Sequence, residues 1–175
     1  MTIRWVYKSL RPPQYREPFR ERFGFLKGNP KSDIWIHAVS VGETSGAISL
    51  INRLLRDNPK LKILVTTTTP TGAKLLDEKL GDKVTHYYSP CDLPGTIARF
   101  VAQVQPKIVI IMETELWPNW LHHLEQKEIP VVLANARLSE SSKRKYQWFA
   151  KTSKKMINQL SKVLAVNTKD ADRFE

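Results

Sequence analysis

The chain alternates short apolar runs with helix-period segments, and this alternation limits its possible folds more than any other property. Residues 34–40, Ile-Trp-Ile-His-Ala-Val-Ser, carry no polar alternation, as expected of a strand whose sheet is covered on both faces. Similar strands are predicted at 62–68, 84–89, 107–112, 131–135 and 163–166. Between them, Ile48, Ile51, Leu54 and Leu55 form a helical stripe that Asn58-Pro59 ends, and Thr69-Pro70-Thr71-Gly72 opens a short helix to Leu80. Asp92-Leu93-Pro94 starts a helix striped by Ile97, Phe100, Val101 and Val104. Further helices are predicted over 117–128 and 139–160, with the start of another over 170–174. Repeated strand-helix units joined by short loops imply right-handed crossovers and an α/β fold built on a doubly wound parallel sheet. Residues 34–175 form that domain. Residues 1–33, with Pro12-Pro13 and Pro18, read as a basic arm of helical pieces. In this architecture ligands bind at the carboxyl ends of the strands.

Charge is uneven along the chain. Of the net +11, residues 1–31 carry +6 and residues 141–162 carry +7, while the segments 32–140 and 163–175 carry −1 each. Such a field attracts phosphates, on a nucleic acid, an anionic membrane or a phosphorylated substrate. The single cysteine, Cys91, excludes an internal disulfide and makes a reducing compartment the natural expectation. No run approaches the roughly 18–20 apolar residues that cross a bilayer, and the start lacks a signal-peptide core, so a soluble chain is expected.

Three strand ends could carry chemistry. The first runs into Ser40-Val41-Gly42-Glu43-Thr44-Ser45-Gly46, whose glycines permit a tight turn and set Glu43 near a helix N-terminus. A carboxylate there either complements the helix dipole, the simpler reading of the residues alone, or acts as a general base. The fourth strand ends in Glu113-Thr114-Glu115-Leu116-Trp117-Pro118. A functional and a structural role for Glu113 are equally compatible with this position, whereas Glu115 reads as an N-cap or loop carboxylate. After the fifth strand, Arg137 could bind an anion and Ser139 could cap the next helix. The loop from Thr66 to Gly72 offers hydroxyls, Thr69 and Thr71 among them, at a helix start suited to anions.

Other signals are weaker. Neither a phosphate-binding P-loop nor a dinucleotide glycine fingerprint is present. His37, His86 and the adjacent His122-His123 lack metal-ligand spacing and read as core or surface histidines. Cys91 reads as structural, and Asp170-Ala171-Asp172 as a solvated helix face. Trp117, Trp120 and Trp148 suit a core or interface. The basic helix from Lys143 to Lys162 reads first as an amphipathic helix with a solvated charged face. Docking to an anionic membrane is its functional alternative, and RNA lacks a supporting signature.

Five strings in order, residues 36–44, 66–72, 88–94, 111–119 and 134–139, closely resemble the N-terminal half of the bacterial 3-deoxy-D-manno-octulosonic-acid (Kdo) transferases of lipopolysaccharide biosynthesis. Tyr15-Arg16 and Glu21-Arg22-Phe23-Gly24 resemble that family's early segment. The resemblance implies a GT-B glycosyltransferase with two Rossmann-like domains, of which this chain is the one that binds the lipid A precursor, lipid IVA. CMP-Kdo would be bound mainly by a domain beyond Glu175, so this chain alone is expected to be inactive. It further implies an inverting reaction without metal or other cofactor, Glu43 as general base and Glu113 as transition-state stabiliser. Gly42, Thr44, Ser45, Thr69, Thr71 and Arg137 become candidates for holding the acceptor or its anionic groups. An apolar anchor usual before the Tyr-Arg segment is represented here only by Ile3, Trp5, Val6 and Tyr7. The expected location is the cytoplasmic face of the inner membrane, with an anionic membrane surface and the lipid A precursor as partners and no nucleic acid. The alternative is a non-catalytic basic module that binds anionic lipid or RNA.

Overall fold

A computed structural model of the chain describes residues 19–28, 30–137 and 150–172. Their elements are α1 (Phe19–Arg22), β1 (Ile34–His37), α2 (Val41–Asp57), β2 (Ile63–Thr67), α3 (Pro70–Leu80), β3 (Thr85–Tyr88) and α4 (Pro94–Val104). These are followed by β4 (Ile108–Met112), α5 (Pro118–Gln126), β5 (Val131–Ala136), α6 (Ala150–Asn158), β6 (Lys162–Ala165) and α7 (Thr168–Ala171). All five strand pairs are parallel, in the order β3-β2-β1-β4-β5-β6. That is the Rossmann-like doubly wound arrangement, in which the chain reverses direction between β1 and β4 and opens a crevice at their carboxyl ends.

Alternate residues of each strand feed two cores. Trp35 faces Phe100 and Trp120, at ring-centroid separations of 4.7 and 4.8 Å, in the core shared with α4, α5 and α6. Ile34 and Ile36 face the other way, toward Ala47 and Ile51 of α2 and Leu76 and Leu80 of α3. Burial of these side chains on both faces explains why the strands read as unbroken apolar runs.

The first four strands are shorter than the runs that announced them, β5 extends one residue further, to Ala136, and β6 is shifted back by one residue, to Lys162–Ala165. Residues 38–40 leave β1 to form the turn into α2, and β5 is irregular between Ala134 and Ala136, where Asn135 takes φ 55°. The predicted basic helix is observed from Ala150 to Asn158, and the roles expected over residues 139–149, including those of Ser139 and Trp148, lie outside the described residues. The last helix begins earlier than predicted because Asn167 caps it: Asn167 Oδ1 accepts the Asp170 N–H at 2.9 Å. Asp170 is buried in this cap, which corrects its reading as part of a solvated face.

Residues 19–28 pack against the sheet. Glu21 Oε2 accepts the Tyr88 N–H at 2.9 Å, buried Arg22 donates to the Thr68 carbonyl at 2.9 Å, and Tyr87 donates its hydroxyl to the Lys27 carbonyl. Gly24 takes φ 78° and lies so close to α4 that a Cβ would sit 2.7 Å from the Thr96 carbonyl oxygen, so the position needs glycine.

Candidate active site at the β1/β4 switch point

The turn after β1 is built from reciprocal caps. Ser40, in extended conformation, is the N-cap of α2, and its hydroxyl accepts the Glu43 N–H at 3.3 Å. The Glu43 carboxylate reaches back, and its Oε2 accepts the Val39 N–H at 2.8 Å. This is a capping box shifted by one residue, since the carboxylate binds the amide ahead of the N-cap. The glycines expected to make the turn do not: Gly42 lies inside α2 without a positive φ, and a Cβ there would meet only Ser40 Oγ, at 3.8 Å. Gly46 serves packing instead, because a Cβ would lie 3.3 Å from Met112 Cε on β4.

Glu43 is 6% exposed and takes part in no ion pair among the described residues. Burial raises its pKa, the charge of Glu113 pushes the same way, and the hydrogen bonds from Val39 and Ser40 oppose both. Glu113 follows β4 with φ 59°, a left-handed conformation that costs a non-glycine residue about 1–3 kcal/mol, and its N–H donates to the Ala134 carbonyl at 2.8 Å. Glu115, two residues on, is pushed up to about 7, first by burial and then by the charges of Glu43 and Glu113. The switch point therefore gathers three carboxylates.

Sequence reasoning missed Glu115 as a member of this group. Its only sequence signal was its place in the same strand-end connection as Glu113. It is not an N-cap: Trp117 occupies that position of α5 without a side-chain cap, and Asp92 supplies one from another loop, its Oδ1 accepting the Trp120 N–H at 3.1 Å.

The other candidates separate into committed and open groups. Thr44 is fully buried and donates its hydroxyl to the Ser40 carbonyl at 2.8 Å. Thr69 donates to the Val39 carbonyl at 3.2 Å and accepts the Gly72 N–H at 3.1 Å. Gly42, Ser45, Thr71 and Arg137 are exposed, and the Arg137 carbonyl accepts the Thr114 hydroxyl at 2.5 Å. His37 belongs to the core: its Nδ1 lies 2.9 Å from Thr66 Oγ1, its ring sits edge-on to Trp120, and burial pulls its pKa down to about 4. Half-buried Cys91 has its thiol pKa raised by burial, the opposite of a reactive cysteine. An open depression of about 370 Å³ lined by Asp33, Lys60 and Lys107 lies at the opposite, amino-terminal ends of β1, β2 and β4. Among the described residues no group of His, Cys, Asp or Glu is arranged to hold a metal ion, and no helix is long and apolar enough to cross a membrane.

Comparison with known proteins places this geometry in a family. Residues 17–175 match the family described as 3-deoxy-D-manno-octulosonic-acid transferase (kdotransferase). A 3-deoxy-D-manno-octulosonic acid transferase of Haemophilus influenzae is 45% identical over 170 residues, which are 95% of this chain and 40% of that protein. A probable mitochondrial 3-deoxy-D-manno-octulosonic acid transferase of Arabidopsis thaliana is 38% identical over 82% of this chain and 32% of its own length. The Bordetella pertussis transferase is 35% identical over 81% of this chain and 34% of its own. The chain thus spans two fifths or less of these relatives. On the breadth of the family match and the identity to the Haemophilus protein, the chain belongs to the 3-deoxy-D-manno-octulosonic-acid transferase family.

Proposed function

We propose that this chain is the acceptor-binding part of a GT-B glycosyltransferase that moves Kdo from CMP-Kdo to the lipid A precursor, lipid IVA, with inversion and without a metal or other cofactor. The observation that carries this reading is Glu43: a buried carboxylate at the switch point, aimed by one backbone N–H, its pKa raised and, among the described residues, no cation paired with it. A base of this kind keeps enough proton affinity to take a proton from a sugar hydroxyl, while an ion pair would have weakened it. The acceptor O–H gives its proton to Glu43 as its oxygen bonds to the anomeric carbon of Kdo. The bond from that carbon to the phosphate oxygen breaks, and CMP leaves with the electron pair. Glu113, whose charge acts on Glu43 from the β4–α5 connection, stabilises the positive charge that develops on the sugar ring. The donor is bound mainly by residues outside this chain, so this chain alone does not turn over.

The exposed residues at the same edge, Gly42, Ser45, Thr71 and Arg137, are positioned to meet the acceptor and its phosphates. The reaction takes place at the cytoplasmic face of the inner membrane, against anionic lipid and not nucleic acid, a reading supported by the basic character of the chain. In the full-length enzyme, Glu43→Gln is expected to lower kcat by about 10²–10⁴-fold while the variant stays folded and is no less stable than wild type. Retention of more than about a tenth of wild-type turnover with lipid IVA would overturn the base assignment.

A further inference from the structure

Two βα turns meet behind Glu43. The Val39 N–H holds Glu43 Oε2 at 2.8 Å, and the Val39 carbonyl is held in turn by the Thr69 hydroxyl at 3.2 Å. Thr69 also accepts the Gly72 N–H at 3.1 Å. A Cβ on Gly72 would lie 3.1 Å from both Thr44 Oγ1 and Thr69 Oγ1 and 3.7 Å from the Ser40 carbonyl, so the first turn of α3 sits directly against the cap of α2. A hydroxyl has one proton, and that of Thr69 is spent on Val39, which leaves none to offer an anion. The β2–α3 turn therefore works as a brace for the neighbouring turn.

We propose that Thr69, packed on Gly72, is a positioning residue for Glu43: by fixing Val39 it sets where the carboxylate points and how firmly the Val39 N–H binds it. The functional consequence rests on reading Glu43 as the base; the physical coupling does not. Among the described residues, the charged groups that act on Glu43 or are acted on by it are Glu113 and Glu115 from the β4–α5 connection. The β2–α3 turn presents hydroxyls and backbone, and His37 on β1 is occupied by Thr66 and Trp120. Against burial and the Glu113 charge, the Val39 N–H is the first-ranked interaction favouring ionised Glu43. A loosened Val39 therefore weakens the carboxylate form and raises its proton affinity.

The test is a pH titration of the full chain labelled with 13C at the glutamate carboxyls, the Glu43 signal being assigned with Glu43→Gln. Thr69→Val is expected to move the Glu43 midpoint up by about half a pH unit, a fraction of what one backbone N–H bond contributes to a carboxylate. Thr69→Ser, which keeps the hydroxyl, should hold the wild-type midpoint. Simple loss of the α3 cap would lower thermal stability without moving that midpoint. Gly72→Ala, whose methyl group presses on Thr69 Oγ1, provides a second variant expected to move it upward. An unmoved midpoint in the folded Val or Ala variant, or an equal rise in Thr69→Ser, overturns the proposal. Because the readout is a titration, an active Glu43→Gln enzyme would overturn the reading of Glu43 as the base and leave this coupling to be judged separately.

Discussion

Glu115 illustrates how a residue's surroundings decide its chemistry. Its pKa of about 7 against the ordinary 4.5 means that the folded chain holds a proton that the unfolded chain releases much earlier. Stability from this group is therefore complete below pH 4.5 and is lost as pH rises toward 7. Glutamine mimics the protonated carboxyl and removes the dependence. Glu115→Gln is thus expected to raise the unfolding free energy at pH 8 by about 1–3 kcal/mol and to leave it unchanged at pH 4, by urea titration. Equal effects at both pH values would show that Glu115 does not carry the proton. The sequence places this residue beside Glu113 but cannot convey its burial, because the charge of Glu43 that acts on it comes from a helix some seventy positions earlier in the chain. Glu43 itself is only half legible in the same way. The change from strand to helix announces its place near a helix N-terminus, whereas the Ser40 cap, its bond to Val39 and the bracing of Val39 by Thr69 require the two turns to be folded together.

Whole elements were more readable than their contacts. The runs that become β1, β2, β4 and β5 have side chains buried on both faces, so hydrophobicity without alternation marks them directly. Prolines at the first turns of α3, α4 and α5 fix where those helices begin. The docking of residues 19–28 onto the β2–α3 turn, β3 and α4 was not readable, since it is made of single bonds to residues about 46 to 79 positions away. The N-terminus of α5 is another long-range case. Asn119 donates to Asp92 at its carbonyl, 2.9 Å, and at Oδ2, 3.2 Å, while Asp92 Oδ1 accepts the Trp120 N–H. Asp92→Ala removes this borrowed cap from a helix that has none of its own and is expected to cost about 0.5–2 kcal/mol in urea unfolding. Asp92→Asn, which keeps an acceptor, should recover most of the loss. If Ala and Asn behave alike, the cap does not support α5.

At the scale of the molecule, the parallel sheet separates stability from chemistry. The aromatic core of Trp35, Phe100 and Trp120 lies on one face, the catalytic candidates gather at one edge, and two histidines, His37 fully buried and His86 half-buried, link the sheet to pH. His37 and His86 are both pulled down to about 4 from 6.5, chiefly by burial, and each is hydrogen-bonded to a β2 threonine at 2.9 Å. The folded chain refuses protons that the unfolded chain accepts below pH 6.5, so stability present above 6.5 is lost as pH falls toward 4. The raised pKa values of Glu43 and Glu115 act with the opposite sign over part of this range, and total stability therefore blurs the histidine contribution. A difference between variants isolates it. His86, on the edge strand β3, can be replaced by Gln with an amide still able to meet Thr67. The unfolding free energy of wild type minus that of His86→Gln is expected to fall by about 1–3 kcal/mol between pH 7 and pH 4.5. A difference that stays constant across this interval would mean that His86 is protonated as readily in the fold as out of it, and that its burial at the sheet edge is not what governs its charge.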